Sequence, residues 1–223
     1  MQKKFFAMGN LFFCVVILFA FCGQAFASKC VRNETVSNSS LNVSVHKLVS
    51  RICYFNDNTG FVTTEIFLKK NGKKQIIRNS FEGVAYSVSV DENIDINSDG
   101  IPDLAISNGT GRGGDGFNYW WYDSRSMLYK KIGGFGRLQM DKMQSGLFFY
   151  LVSSSDEYYS ARYNYVFQNG SLKLKSVYGF KSCSGNLECT EIVVLDGGTQ
   201  KGLKKTLTAK EVDECMAGTG ACF

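Results

Sequence analysis

From Leu41 onward the chain reads as short runs in which apolar and polar residues alternate, broken by Gly, Asn and Asp. "LNVSVHKLV" and "RICYF" come first, then "FVTTEIFLKK", an Asn-Gly pair and "KQIIR". "GVAYSVSV" leads into an acidic stretch. After that come "FNYWWYD", "LYKKI", "LFFYLVSS", "YYSARYNYVFQ", a second Asn-Gly pair, "SLKLKSVYGF" and "TEIVVLD". Val, Ile, Tyr, Phe and Thr at period two predict half-buried strands, and Asn-Gly between two such runs predicts a tight hairpin. Only "TAKEVDECM" carries a helical signature, with Thr208 as N-cap and Glu211 three residues on. Ser28 to Leu41, which includes "NETVSNSS", has little that can pack and is expected to be loosely ordered. The fold class expected is all-β: one mostly antiparallel domain, a sandwich or a partial propeller-like arrangement. No fixed-period repeat recurs, which disfavours a full propeller of equal blades. A single proline, Pro102, argues against long rigid linkers.

The first residues follow a different pattern. Lys3 and Lys4 precede a continuous apolar run, Leu11 to Cys22, and Ala25-Phe26-Ala27 supplies small residues where a signal peptidase cuts. Residues 1–27 are therefore expected to be a signal peptide, with an uncleaved anchor as the alternative, and 28–223 a single β-rich domain. Removing 27 residues from 223 leaves 196, enough for one domain with its own core. Without Lys3 and Lys4, 23 basic residues face 20 acidic ones, a charge of +3. That is too mild for nucleic acid, and the densest basic segment, "LKKNGKKQ", reads as a solvated hairpin tip. No membrane contact is expected once the leader is removed. The chain is placed in the periplasm or outside the cell.

Cys14 and Cys22 leave with that leader, and Cys30, Cys53, Cys183, Cys189, Cys215 and Cys222 remain. An even number in an exported chain points to disulfides. Spacing favours the clips Cys183–Cys189, Cys215–Cys222 and Cys30–Cys53, although six cysteines permit other pairings. Zinc is the rival use and a poor one: no C-x-x-C occurs, and His46 is the chain's one imidazole.

The most specific chemistry lies in "DINSDGIPDL". Asp95, Asn97 and Asp99 stand at positions 1, 3 and 5, Gly100 at 6, the Ile101 carbonyl at 7 and Asp103 at 9. Such an oxygen ladder suits calcium, a hard cation taking six to eight oxygens at flexible geometry. An EF-hand would have Glu at position 12, where this chain has Ile106. The loop instead resembles the strand-borne calcium loops of integrin-type FG-GAP repeats and related bacterial (VCBS-like) modules. The bland alternative is an acidic Asx-turn that only solvates a connection.

Gly109, Gly111 and Gly114 spell G-x-G-x-x-G, but an aromatic strand-like segment follows, not a helix, so no helix N-terminus is there to hold a pyrophosphate. "NGTGRGGDG" is read instead as an exposed loop presenting Arg112, flanked by Gly113 and Gly114, to a partner rich in carboxylates. Beyond it Tyr119 and Trp121 face one side of a strand, and Trp120 and Tyr122 the other. One face is expected to be core. The other, bearing Tyr119 and Trp121, is a candidate partner contact or sugar-stacking platform. An ordinary glycine-rich hairpin with core aromatics is the plain reading of the same residues. No enzyme is expected. Nucleophilic triads normally use a His, and the one present sits on a strand; a carboxylate-based hydrolase is the third alternative.

Taken in order, the calcium loop, the glycine loop, the aromatic strand ending in "YD", "LYKKIGGFGRLQMD", "SSSDEYYSARYNYVF" and "QNGSLKLKSVYGF" resemble a known group. It is the periplasmic lysozyme-inhibitor and immunity proteins that accompany lysozyme-like effectors of type IV secretion systems. The resemblance runs from about Val84 to Phe180. It implies an all-β domain that blocks a peptidoglycan hydrolase by loop insertion, with metal binding at Asp95, Asn97, Asp99, Ile101 and Asp103. The alternative is a calcium-dependent carbohydrate-binding or adhesion module built on Tyr119 to Tyr122.

Overall fold

The computed structural model describes residues 29–36, 45–56, 58–69, 72, 74–82, 88–111, 114–153, 160–183, 186–196, 199–220 and 222. The expected signal peptide and "SSDEYY", residues 154–159, lie outside them. Within them the chain is mostly antiparallel β in three successive sheets, with one short helix. The N-terminal sheet is β1 (Lys29–Val36), β2 (Val45–Asn56), β3 (Thr59–Leu68) and β4 (Lys74–Glu82), in sequence order. The middle sheet is β5 (Val90–Asp91), β6 (Leu104–Gly111), β7 (Gly114–Asp123) and β8 (Leu128–Gly136). The C-terminal sheet holds β9 (Gln139–Met140), β10 (Leu147–Ser153), β11 (Ser160–Gln168), β12 (Ser171–Cys183), β13 (Asn186–Asp196) and β14 (Thr199–Leu207), each pairing its sequence neighbour.

Alternation decides how these sheets stack. Along β3 every second side chain is buried, so Val62 and Ile66 enter the core while Phe61, Thr63, Glu65 and Phe67 turn outward. Leu48, Ile52, Val62, Ile66, Ile77 and Phe81 meet Leu104, Ile106, Trp120, Tyr122 and Tyr129 of the middle sheet. The opposite face of that sheet gives Ala105, Phe117 and Tyr119 to a second cluster with Phe148 and Leu172 of the C-terminal sheet. The middle sheet is thus covered on both faces. Close approach between β4 and β6 needs glycine: Gly109 has φ 117°, and a Cβ there would overlap the Glu82 carbonyl.

Two local expectations hold at the level of caps and turns. Asn169 and Gly170 have φ 51° and 78°, the left-handed pair that a two-residue hairpin with matching twist requires. Helix α1 (Ala209–Ala217) starts at Thr208, whose Oγ1 accepts from Glu211 N while Glu211 Oε2 accepts from Thr208 N, and it ends on left-handed Gly218. It seats Val212 and Cys215 against Phe180 and Leu207.

One expectation is corrected here. Residues 29–36, expected to be loose, form β1 paired along β2, because backbone ladder bonds and the Cys30–Cys53 cross-strand disulfide compensate for a polar sequence. A second disulfide, Cys215–Cys222, ties the helix to the residue after its C-terminal turn. Cys183 and Cys189 stand on β12 and β13, but their side chains lie outside the described ones.

A buried polar knot joins helix and sheet. Arg162 of β11 is 1% exposed. Its Nη2 donates to Asp141 Oδ2, its Nη1 to the Cys215 carbonyl and its Nε to Asn164 Oδ1 at 2.8 Å, and the guanidinium stacks 3.9 Å from the Phe149 ring centroid. Asp141 Oδ1 accepts from Met143 N and Gln144 N, and Asn164 Nδ2 donates to Ser176 Oγ.

Candidate functional site

The acidic ladder winds itself up through its own backbone N–H groups. Asp95 Oδ1 accepts from Asp99 N (3.2 Å) and its Oδ2 from Gly100 N (2.9 Å). Asn97 Oδ1 accepts from Asp99 N, and Asp99 Oδ1 from Ile101 N. Asn97 Nδ2 donates to Asp99 Oδ2 at 2.8 Å. Ser98 (φ 56°) and Gly100 (φ 78°) take the left-handed conformations that make the bend. Asp95, Asn97 and Asp99 therefore converge on one small volume at the surface.

Asp103 is the inward, buried member of the ladder. It is 1% exposed, and its oxygens accept from Ile96 N (2.8 Å) and Tyr122 N (2.7 Å), tying the ladder to the aromatic strand. The sequence reading missed this bracing role. Burial pushes the Asp103 carboxyl up to about 7, against the pull of those two N–H groups and reinforced by Asp95 and Asp99. Among the described residues no three His, Cys, Asp or Glu side chains form a ready metal cage. The donor set of two surface carboxylates, an amide, a backbone carbonyl and the inner carboxylate matches calcium in kind. A carboxylate oxygen that already accepts one N–H keeps a second lone pair for an ion.

On the aromatic strand, alternation holds but the open face does not. Tyr119 (1% exposed) is removed from any surface contact: its hydroxyl donates to the Gly136 carbonyl and accepts from Leu138 N, and burial drives its phenol above the usual range. Trp120 and Tyr122 fill the other core, because both faces of the middle sheet are covered. Trp121 alone is half-buried, edge-on to Phe167 at 5.5 Å and under Lys130. The glycine loop is also shorter than expected. β6 and β7 stay paired up to Gly111 and Gly114, so the described residues of "NGTGRGGDG" are mostly ladder. Arg112 and Gly113 lie outside the described residues.

The strand's end is fixed by Asp123, which accepts from Arg125 N and Ser126 Oγ and pairs with Lys130 at 2.5 Å. The Lys130 contact first, then Ser126, holds its carboxyl down to about 2. A depressed folded value means its stabilisation is present above the unfolded value near 4 and is lost as pH falls toward 2. Asp123→Asn is accordingly expected to lower stability above about pH 4, where the carboxylate is ionised and paired, and to flatten the acid limb between about pH 4 and 2 so that the two chains converge, as read by urea melts.

No protein-family model matches the chain, and no curated protein sequence matches it. Among solved structures, one from Xanthomonas, "Structure of a Xanthomonas Type IV Secretion System related protein", aligns with TM-score 0.51 at 9% identity, over 81% of this chain and 98% of that one. The chain shares that protein's fold. The likeness spans all but a small part of that protein. The two disulfides among the described residues fit an exported protein, and among the same residues no helix is long and apolar enough to cross a membrane.

Proposed function

We propose that the chain is a periplasmic inhibitor or immunity protein, stabilised by calcium, that blocks a lysozyme-like cell-wall hydrolase by inserting a loop into its cleft. The observation that carries this reading is the fold shared with a type IV secretion system related protein over nearly the whole of that chain. Calcium would be held by Asp95, Asn97, Asp99, the Ile101 carbonyl and Asp103, and its task is structural: it neutralises the ladder that Asp103 couples to β7. The inserting element is the β6–β7 tip. Ladder pairing of β6 with β7 up to Gly111 and Gly114 gives this connection a firm base, and Arg112 would offer a guanidinium to carboxylates in an acidic cleft. The chain acts by binding and not by turnover. The carbohydrate-platform alternative loses its support, since Tyr119, Trp120 and Tyr122 are all buried.

Titrating the processed chain against a panel of lysozyme-like muramidases, read by release of soluble peptidoglycan fragments, tests the proposal. One-to-one inhibition of at least one enzyme is expected, weakened tenfold or more by Arg112→Ala, the loss typical of a charged anchor. No inhibition across the panel would refute the proposal, and so would peptidoglycan cleavage by the chain alone.

A further inference from the structure

The outward face of the N-terminal sheet carries its side chains in registered rows across β2, β3 and β4. Lys47, Phe67 and Lys74 form one row; Val49, Glu65 and Ile76 the next; Arg51, Thr63 and Arg78 the third; Cys53, Phe61 and Ser80 the fourth. Four cations thus mark the corners of a rectangle around Glu65. Strand spacing makes it roughly 10 Å wide, and four residues of rise make it roughly 13 Å long. Three of the four cations are steadied by rings: the Arg78 guanidinium lies 4.2 Å from the Phe61 centroid, and Lys47 and Lys74 flank Phe67 at 6.0 and 5.9 Å. Lys74 also reaches Glu65 at 3.3 Å. Between and beside them stand apolar groups left to solvent, Ile76 at 56% and Phe55 at 50% exposure.

We propose that this face docks an acidic protein surface, with carboxylates opposite the four corners and apolar side chains against Val49, Ile76 and Phe55. Charge complementarity selects the occupant. A second copy of the chain would bring like corners together across a self-complementary contact. Nucleic acid needs ring faces free for stacking or a unipolar basic surface, but here Phe61 and Phe67 are capped by cations and Glu65 sits at the centre. A uniformly anionic membrane would likewise meet Glu65 and would find no protruding aromatic belt. Fixed charges of both signs around an apolar strip match a folded partner whose own charges are fixed. This surface is separate from the β6–β7 tip, and its test involves no hydrolase.

The probe is a fluorescein-labelled peptide of alternating Glu and Leu, followed by anisotropy against the whole processed chain. Binding that weakens with salt is expected. Arg51→Glu with Arg78→Glu should weaken it at least tenfold, and Arg51→Ala with Arg78→Ala severalfold, with thermal melts confirming that each variant is folded. Lys173→Glu with Lys175→Glu, an equal charge change on exposed positions of β12, should stay within twofold. The proposal is overturned by equal losses in both charge-reversed chains, by no binding at millimolar peptide, or by tighter binding to heparin, duplex DNA or phosphatidylserine vesicles than to the peptide.

Discussion

Arg162→Met is expected to lower stability by about 3–5 kcal/mol, although methionine fills much of the same volume. The reason is what it abandons. Asp141 would keep a buried carboxylate without its cation, and removing one partner of a buried ion pair typically costs about that much. The Cys215 carbonyl and Asn164 Oδ1 lose donors as well, and the stacking on Phe149 is lost. Asp141→Asn should be nearly as damaging, because it strands the guanidinium. The double variant Arg162→Met with Asp141→Asn should recover much of the loss, since no charge is then left unpaired and Oδ1 still accepts from Met143 N and Gln144 N. Urea unfolding of the four chains checks this, and additive losses in the double variant would show that the pair is not coupled.

Asp103→Ala comes second. Two buried N–H groups, of Ile96 and Tyr122, lose their acceptor, and each unsatisfied group costs about 1–3 kcal/mol. Relief of a desolvated carboxylate offsets part of this, so a net loss of about 2–4 kcal/mol is expected. Acidity adds a signature. With its folded value raised to about 7 against an ordinary value of 3.8, Asp103 keeps a proton that the unfolded chain has released. Its contribution is therefore full below about pH 4 and declines as pH rises through 7. In chelator, wild type should lose stability across that window relative to Asp103→Asn. A parallel pH course for the two chains would contradict the assignment.

These two residues also show where sequence pattern stops. Thr208 and Glu211 announced the helix start because a capping box is local, and Asn169-Gly170 announced its turn for the same reason. The period-two split of Tyr119 and Trp121 from Trp120 and Tyr122 was readable too. Alternation, however, does not say whether a second layer covers the opposite face, and here a sheet lies on each side of β7. Arg162 and Asn164 alternate with Tyr163 and Tyr165, so periodicity assigns that polar pair to solvent, whereas α1 and its disulfide close over them. The cation rows of the N-terminal sheet depend on the register between three strands, which no single segment encodes. The oxygen ladder was visible as spacing alone. The inward turn of Asp103 was not, since it follows from the partners of a strand some twenty residues away.

Calcium bound by the Asp95–Asp103 ladder is the central claim, and thermal unfolding of the processed chain with and without the ion tests it most directly. Calcium at fifty times its dissociation constant should add about 2 kcal/mol, which for a chain of this size raises Tm by roughly 5–8 °C, and Asp95→Ala should abolish the shift. An unchanged Tm between millimolar calcium and chelator, together with no heat of binding by calorimetry, would contradict the account.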